Sequence, residues 1–499
     1  MEALTELVTS IGDSVWSVMF IVLLGVGLYL TIRTGAVQFR AIPEMLRVVG
    51  EPGGRGPDGR KQISSFRAFT ISAAARVGTG NIAGVALAIS LGGPGAVFWM
   101  WLMAAIGGAS AFVESLLAQL YKHHGRDAYV GGPAYYMQRG LKARWMGMIF
   151  AVIICITYGF AFNSVQSNSI VDAVSQSTSY FSEGLAESPG LKVVIGLVLV
   201  AATALVIFGG VRSISAVSQV VVPVMAVLYV LLGLIVVALN IGEVPAMFMQ
   251  IIEGAFGIRE FVTGGLIGVI ITGMRRGLFS NEAGMGSSPN AGATAAVSHP
   301  AKQGLVQSLG VYFDTMIICS ITAFIVLLSN PTFGDSAQGA ALTQTALSAQ
   351  LGDWALHFLT VAIFLFAFTS VIGNYYYGES NIQFLTNSTA ALQVYRILVL
   401  ACVFIGAVIA LDLAWAAADL FMAFMAFLNL IAVALLSNVA VKVMKHYQRE
   451  RKSGQEPIFR ASDLPEITGV EVWDGDDEVT TRQFWVDHFA GKKQKAGRR

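Results

Sequence analysis

The sequence predicts an all-α integral membrane protein of eleven transmembrane helices: two five-helix halves of opposite orientation behind one extra N-terminal helix. Three observations carry this. Hydrophobic residues make up 55% of the chain and charged ones only 13%, which excludes an ordinary soluble domain. The apolar residues come in blocks of about twenty or more, the length that crosses ~30 Å of hydrocarbon. Two of those blocks are interrupted by glycine and asparagine at mid-membrane, where no water is present to satisfy loose peptide groups.

The blocks fall at about 14–33, 65–92, 94–121, 146–171, 191–209, 214–239, 260–282, 303–329, 353–377, 394–411 and 413–441. The first is a full-length span with no small-residue cleavage site after it, so it reads as a helix and not as a cleaved signal. Short loops join the rest into one membrane domain. The glycine-rich loop at 51–59 lacks the Lys-Ser/Thr ending of a phosphate loop. The loop at 122–145 predicts a turn and a short surface helix. Residues 332–351 read as a loop able to cover an outer vestibule. Beyond about 445 the chain turns polar and reads as an inert, mostly extended or disordered tail. The resulting division is 1–64, N-terminal helix and basic loop; 65–241, first repeat; 242–445, second repeat; 446–499, tail.

Lys and Arg set the orientation. With 34–64 inside, the inner loops collect Arg40, Arg47, Arg55, Arg60, Lys61, Lys122, Arg126, Arg139, Lys142, Arg144, Arg212, Lys302 and Arg396, whereas the outer loops carry only Lys192 and Arg259. The positive-inside rule then places the N-terminus outside and the C-terminus in the cytoplasm of a multi-pass plasma-membrane protein, here a bacterial inner membrane. With a net charge of +1, these basic residues read as topogenic, not as a nucleic-acid surface. Cys155, Cys319 and Cys402 are isolated within spans and form no disulfide or metal-ligand spacing.

The first interruption, Val77-Gly78-Thr79-Gly80-Asn81, lies in the leading span of one half. Glycine permits unwinding and close approach. The half-helix beginning near Asn81 points free N–H groups and a positive dipole end inward, suited to a carboxylate. Carbonyls left at Ala74 and Val77 suit a hard cation such as Na⁺, and helix packing through small residues is the bland alternative. The second interruption, placed around Thr272–Gly286, lies in the leading span of the other half and runs the opposite way. Two such broken spans point to a secondary transporter with its site between the halves.

Buried charges need partners, because an ion at the bilayer centre costs several kcal/mol. Arg76, Glu114 and Asp314 lie about eleven, eight and eleven residues from the ends of their spans, hence at similar depth at ~1.5 Å per residue. Arg76 is expected to pair with Glu114 or with Asp314, as a structural or gating contact. Arg275, Arg276 and Glu282 find no assignment.

Several blocks together carry a resemblance: Val77-Gly-Thr-Gly-Asn-Ile-Ala-Gly84, Leu91-Gly-Gly-Pro-Gly-Ala-Val-Phe-Trp-Met-Trp101, Gly131-Gly-Pro-Ala-Tyr-Tyr136 and Arg276-Gly-Leu-Phe-Ser-Asn-Glu-Ala-Gly-Met-Gly-Ser287. Over roughly residues 10–450 the chain resembles the alanine or glycine:cation symporter family, whose members are similar in fold to the bacterial leucine transporter, with one added N-terminal helix. The resemblance implies import of alanine or glycine coupled to Na⁺, by a protein expected to act as a monomer. It implies one Na⁺ site at Ala74, Val77, Thr369 and Ser370, and a second at Asn81, Thr272 and Asp314. The substrate carboxylate would meet Thr79, Gly80 and Asn81, and its ammonium the carbonyls around Thr272 and Gly273. Phe162, Asn163 and Gln166 lie on the third core span, and 162 shares a helical face with 166. Gln166 would reach the substrate and Phe162 limit its size, unless Gln166 serves a neighbouring helix. Asn374 stands where the family often has Trp, which leaves pocket size open.

Other classes fit less well. A channel needs a continuous polar stripe or a repeated filter, and neither is present. An enzyme needs a catalytic constellation, but no zinc-protease or serine-hydrolase motif occurs and His123-His124 read as solvated. Gly78-x-Gly80 follows no strand and so is not a dinucleotide fingerprint. Proton coupling on the same fold remains the alternative to Na⁺.

Overall fold

The computed structural model describes residues 2–56, 58–259, 265–334, 339–408 and 411–496. The main helices are α1 (Glu2–Thr34), α2 (Ser65–Arg76), α3 (Val85–Gly92), α4 (Gly95–Leu120), α5 (Arg144–Ser179), α6 (Pro189–Ile207), α7 (Gly210–Leu239), α8 (Gly265–Asn281), α9 (Ala301–Leu327), α10 (Asp353–Leu385), α11 (Thr389–Gly406) and α12 (Leu411–Lys452). Among the described residues nine helices are long and apolar enough to span a bilayer, or ten when the bent pair α2–α3 counts as one span. The one expected span left over, the seventh at 260–282, corresponds to α8 (Gly265–Asn281), but residues 260–264 lie outside the described residues.

Serine side chains start several of these helices. Ser64, Ser188 and Ser388 each accept an N–H from the first turn, at 3.3, 3.2 and 3.3 Å. Helices α4, α8 and α9 pack against one another at the centre, α10 packs on α5 and α2, and α1 lies along α12 and α4. Part of the expected loop at 332–351 forms a helix, Gly339–Leu351, seated on the first break: Thr343 Oγ1 donates to the Ile82 carbonyl at 3.3 Å. The loop at 122–145 holds a two-residue hairpin, His123–His124 with Tyr129–Val130, and the short helix Pro133–Arg139.

Both leading spans are broken. α2 ends at Arg76, and a turn of π-helix at Gly80–Gly84 leads into α3 across a bend of 54°. The second break lies about ten residues beyond Thr272 and Gly273. Both of these residues sit inside the continuous helix α8. Gly273 is there for packing: a Cβ on it would lie 2.5 Å from the Ala96 carbonyl oxygen and 2.6 Å from Trp99 Cβ. The chain unwinds instead at 282–287, where Glu282, Gly284 and Gly286 take φ of 57°, 86° and 82°. Positive φ is unremarkable for glycine but strained for Glu282.

A buried carboxylate braces that loop. Glu114 on α4 accepts the Gly284 and Gly286 N–H groups at 3.3 and 3.1 Å and the Asn429 amide at 2.7 Å. Asn429 also donates to the Gly284 carbonyl at 2.9 Å. Glu114 therefore does not pair directly with Arg76 as expected; its oxygens are occupied by peptide groups. The carboxylate facing Arg76 is Glu282, with Nε to Oε2 at 3.9 Å. Gln307 also accepts from the Arg76 guanidinium, at 3.2 and 3.3 Å.

The tail is not an extended appendage. It folds back across the end of the bundle that carries the basic loops and buries Phe459, Trp473 and Trp485 there. Sparse aromatic anchors hold it, in a composition that is otherwise polar.

Replacing Glu114 by Ala orphans two buried peptide N–H groups and removes one of the two acceptors of the Asn429 amide. The expected loss is about 2–4 kcal/mol of stability, read as a lowered melting temperature of detergent-solubilised protein. Glu114→Gln, which keeps one acceptor, should fall between that variant and the parent.

Candidate functional site

The two breaks face each other near the middle of the bundle, and the sequence explains why the backbone can come so close. A Cβ at Gly78 would collide with Ser370 Oγ and lie 2.9 Å from Gln166 Oε1; one at Gly80 would lie 2.7 Å from the Phe279 ring. Three helices therefore converge on one unwound turn.

Asn81 organises that turn. Its side-chain oxygen accepts the Gly78 N–H at 3.1 Å, and its amide donates to Asp314 Oδ1 at 2.5 Å. Its own carbonyl accepts from Thr322 Oγ1 at 2.7 Å. Asp314 is fully buried on α9 and also receives the Ser280 hydroxyl and, at 3.2 Å, Thr315 Oγ1. Asn81 and Asp314 are thus brought together as expected of a second ion site. Thr272 is not among them, and Ser280, two residues from the true break, holds the place expected for it. Arg76 forms its ion pair with Glu282 and not with Asp314.

On the other side of the turn, Ser370 Oγ donates to the Ala74 carbonyl at 2.7 Å. Thr369 Oγ1, also buried, donates within its own helix to the Phe366 carbonyl at 2.9 Å. Val77 is buried where α2 ends, with ψ of 80° turning its carbonyl off the helical path. The cluster of hydroxyl and carbonyl oxygens is the donor set that a hard cation prefers, and it lies between α2 and α10.

Gln166 Oε1 accepts the Thr79 N–H at 3.1 Å, so its oxygen serves the break in α2. Asn374, one turn along α10 from Ser370, donates to Asn163 Oδ1 at 3.0 Å, and Asn163 donates to the Gly159 carbonyl at 3.2 Å. Thr79 Oγ1, Asn281 Nδ2 and Asn374 Oδ1 are among the buried polar atoms here that have no hydrogen-bond partner. Orphaned polar atoms are costly in a membrane interior. Phe162 packs in tilted contacts against Phe279 and Tyr158 with ring centroids 4.6 and 4.7 Å apart, and Phe279 reaches Trp415 at 4.9 Å. The aromatic row closes one side of the polar cluster.

Beyond that row lies a pair that sequence reasoning left unassigned. Arg276 is buried and bonded to Asp419, and its guanidinium sits 4.7 Å over the Trp415 ring. Arg275 reaches the same Asp419 at 3.5 Å and Asp13 at 2.8 Å. These contacts lie on the side of the breaks away from the basic loops, whereas Arg76, Glu282 and Glu114 lie toward them. Charged contacts therefore close the central site from both ends. Nothing local in the sequence marks Asp419 as the partner, because it belongs to α12, far along the chain.

Residues 1–461 match the sodium:alanine symporter family. The chain is 51% identical to the amino-acid carrier protein AlsT of Bacillus subtilis, over 94% of this chain and 97% of that one. It is 47% identical to the probable sodium/glutamine symporter GlnT of the same organism, over 96% and 98%. It is 37% identical to the sodium/alanine symporter AgcS of Methanococcus maripaludis, over 90% and 98%. In fold it is similar to MhsT, solved in complex with L-phenylalanine, with a TM-score of 0.57 at 13% identity, over 78% of this chain and 99% of that one. The leucine-transporter-like architecture expected from the resemblance is the one found. The chain belongs to the sodium:alanine symporter family and is a multi-pass membrane transporter of amino acids, not an enzyme.

Proposed function

We propose that the chain imports small neutral amino acids, alanine or glycine, together with Na⁺ by alternating access, with the basic end and C-terminus in the cytoplasm and the N-terminus outside. The observation that carries this reading is the 2.7 Å contact of Ser370 Oγ with the Ala74 carbonyl, an oxygen cluster shared by the broken helix and α10. A Na⁺ between the Ala74 and Val77 carbonyls and the Thr369 and Ser370 hydroxyls replaces that hydrogen bond and ties the two halves together. Asp314, Asn81 and Ser280 supply oxygens for a second ion.

The substrate carboxylate meets the N–H groups of Gly80 and Asn81 at the start of the half-helix, with the Thr79 hydroxyl beside it. Its ammonium turns to the carbonyls at the end of α8, around Phe279 and Ser280, which a helix terminus leaves free. Phe162 and Phe279 border the side chain. Because ion and substrate share the unwound turn, each raises the other's affinity by the same factor. An inward Na⁺ gradient and a negative interior drive uptake, each charge adding ~2.3 kcal/mol per 100 mV.

One observation favours a second substrate. Asn374 Oδ1 is a buried acceptor without a partner, which fits a side chain that donates a hydrogen bond, such as the amide of glutamine. A relative named as a probable sodium/glutamine symporter is consistent with this.

In proteoliposomes with an imposed Na⁺ gradient, Thr369→Ala combined with Ser370→Ala should reduce alanine uptake to its level in choline. Unaltered Na⁺ dependence would remove the first ion site, and full uptake driven by a proton gradient alone would replace Na⁺ by H⁺. Asn374→Leu should weaken competition by glutamine about tenfold, equivalent to ~1.4 kcal/mol, while leaving alanine competition intact. Equal glutamine competition in parent and variant would discard the amide reading.

A further inference from the structure

The segment after α12 binds the two parts of the bundle that the transport reading requires to move. One is the loop at 51–64 that leads into α2. Arg55 N–H donates to Glu478 Oε2 at 2.8 Å, and Glu478 N–H returns a bond to the Arg55 carbonyl at 3.2 Å. The other is the stretch after the second break, 293–302. There Phe459 N–H donates to the Ser298 carbonyl at 2.8 Å, and Ser298 Oγ donates to the Pro457 carbonyl at 2.7 Å. The two parts are themselves joined, because Ala296 N–H donates to the Ile63 carbonyl at 2.9 Å.

Charge and aromatic contacts reinforce this backbone docking. Lys302, fully buried, bonds Glu456 of the tail and, at 2.7 Å, Glu51 of the loop, with Trp485 of the tail 4.2 Å from its ammonium. Arg47 adds a bond to Glu456 at 3.1 Å. Further along, Trp473 Nε1 donates to the Gln119 carbonyl at 3.1 Å at the end of α4, and its ring lies 4.7 Å from the Lys122 ammonium. Asp477 accepts from Tyr129 at 2.6 Å. The tail thereby bridges the entry to α2, the exit from the second break and the end of α4. A segment serving only as a solvated end has no reason to bury two tryptophans and share a buried lysine. The anchors Trp473, Asp477, Glu478 and Trp485 all lie past residue 461, where the family match ends.

We propose that residues 456–485 are an intramolecular latch on the cytoplasmic gate: docked, they hold the bundle closed at its basic end, and they must leave the Ser298 segment for the site to open inward. The inference rests on the alternating-access reading, since it assigns the latch to one of its two openings. Release breaks at least two peptide hydrogen bonds and the Lys302–Glu456 contact together, so the latch moves as a unit.

A reversible cross-link tests this within one preparation. Ser298→Cys with Pro457→Cys joins residues that already touch, and each single variant serves as control. With the disulfide verified by gel mobility, Na⁺-driven alanine uptake should fall at least tenfold and return on reduction, while Na⁺-dependent alanine binding persists in both states. A verified cross-link that leaves uptake unchanged overturns the latch. Absence of Na⁺-driven uptake in the parent and in the reduced protein would instead defeat the transport reading, so the two failures are told apart.

Discussion

A peptide group in hydrocarbon has to find a partner inside the protein, and the rest of this structure follows from how that demand is met at two interrupted helices. At the first, Asn81 and Gln166 accept the Gly78 and Thr79 N–H groups. At the second, Glu114 and Asn429 take up the loop from Gly284 to Gly286. Between the two lie a hydroxyl and two side-chain amide atoms that the protein itself does not pair, Thr79 Oγ1, Asn281 Nδ2 and Asn374 Oδ1. The same constraint that forbids loose backbone elsewhere in a membrane makes this spot suited to hold the ion and substrate proposed above.

The supporting side chains divide by depth. Toward the acidic and aromatic end, Arg276, Asp419, Trp415 and Phe279 stack over the site. Toward the basic end, Arg76, Glu282 and Gln307 lie beneath it. Each set joins helices from different parts of the chain, so each can separate only if those helices move. The tail adds a third layer on the basic end alone. That asymmetry suits a carrier whose two openings are controlled separately.

Much of this was legible in the sequence, and the failures have physical causes. Span positions follow from hydropathy, which the bilayer enforces over about twenty residues at a time. The first break was readable because Gly78, Gly80 and Asn81 have no role in an unbroken helix. The second was drawn too wide, from Thr272 to Gly286, because Gly273 looks the same on paper; it is a packing glycine against Ala96 and Trp99, and only the far end of that stretch unwinds. The loop is marked by what grips it, Glu114 and Asn429, and long-range grips leave no local signature. The pairings Arg76–Glu282 and Arg276–Asp419 were hidden for the same reason. The tail misled through composition: it is polar on average, but Phe459, Trp473 and Trp485 suffice to dock it.

The central claim is that the two unwound segments are held open for an ion and a zwitterion. Hydrogen–deuterium exchange of residues 74–84 and 281–287, in Na⁺ and in choline and with and without alanine, addresses it directly. The account predicts faster exchange there than in the flanking helices, slowed by Na⁺ and slowed further by alanine only when Na⁺ is present. Exchange indifferent to Na⁺ and alanine in both segments would contradict it.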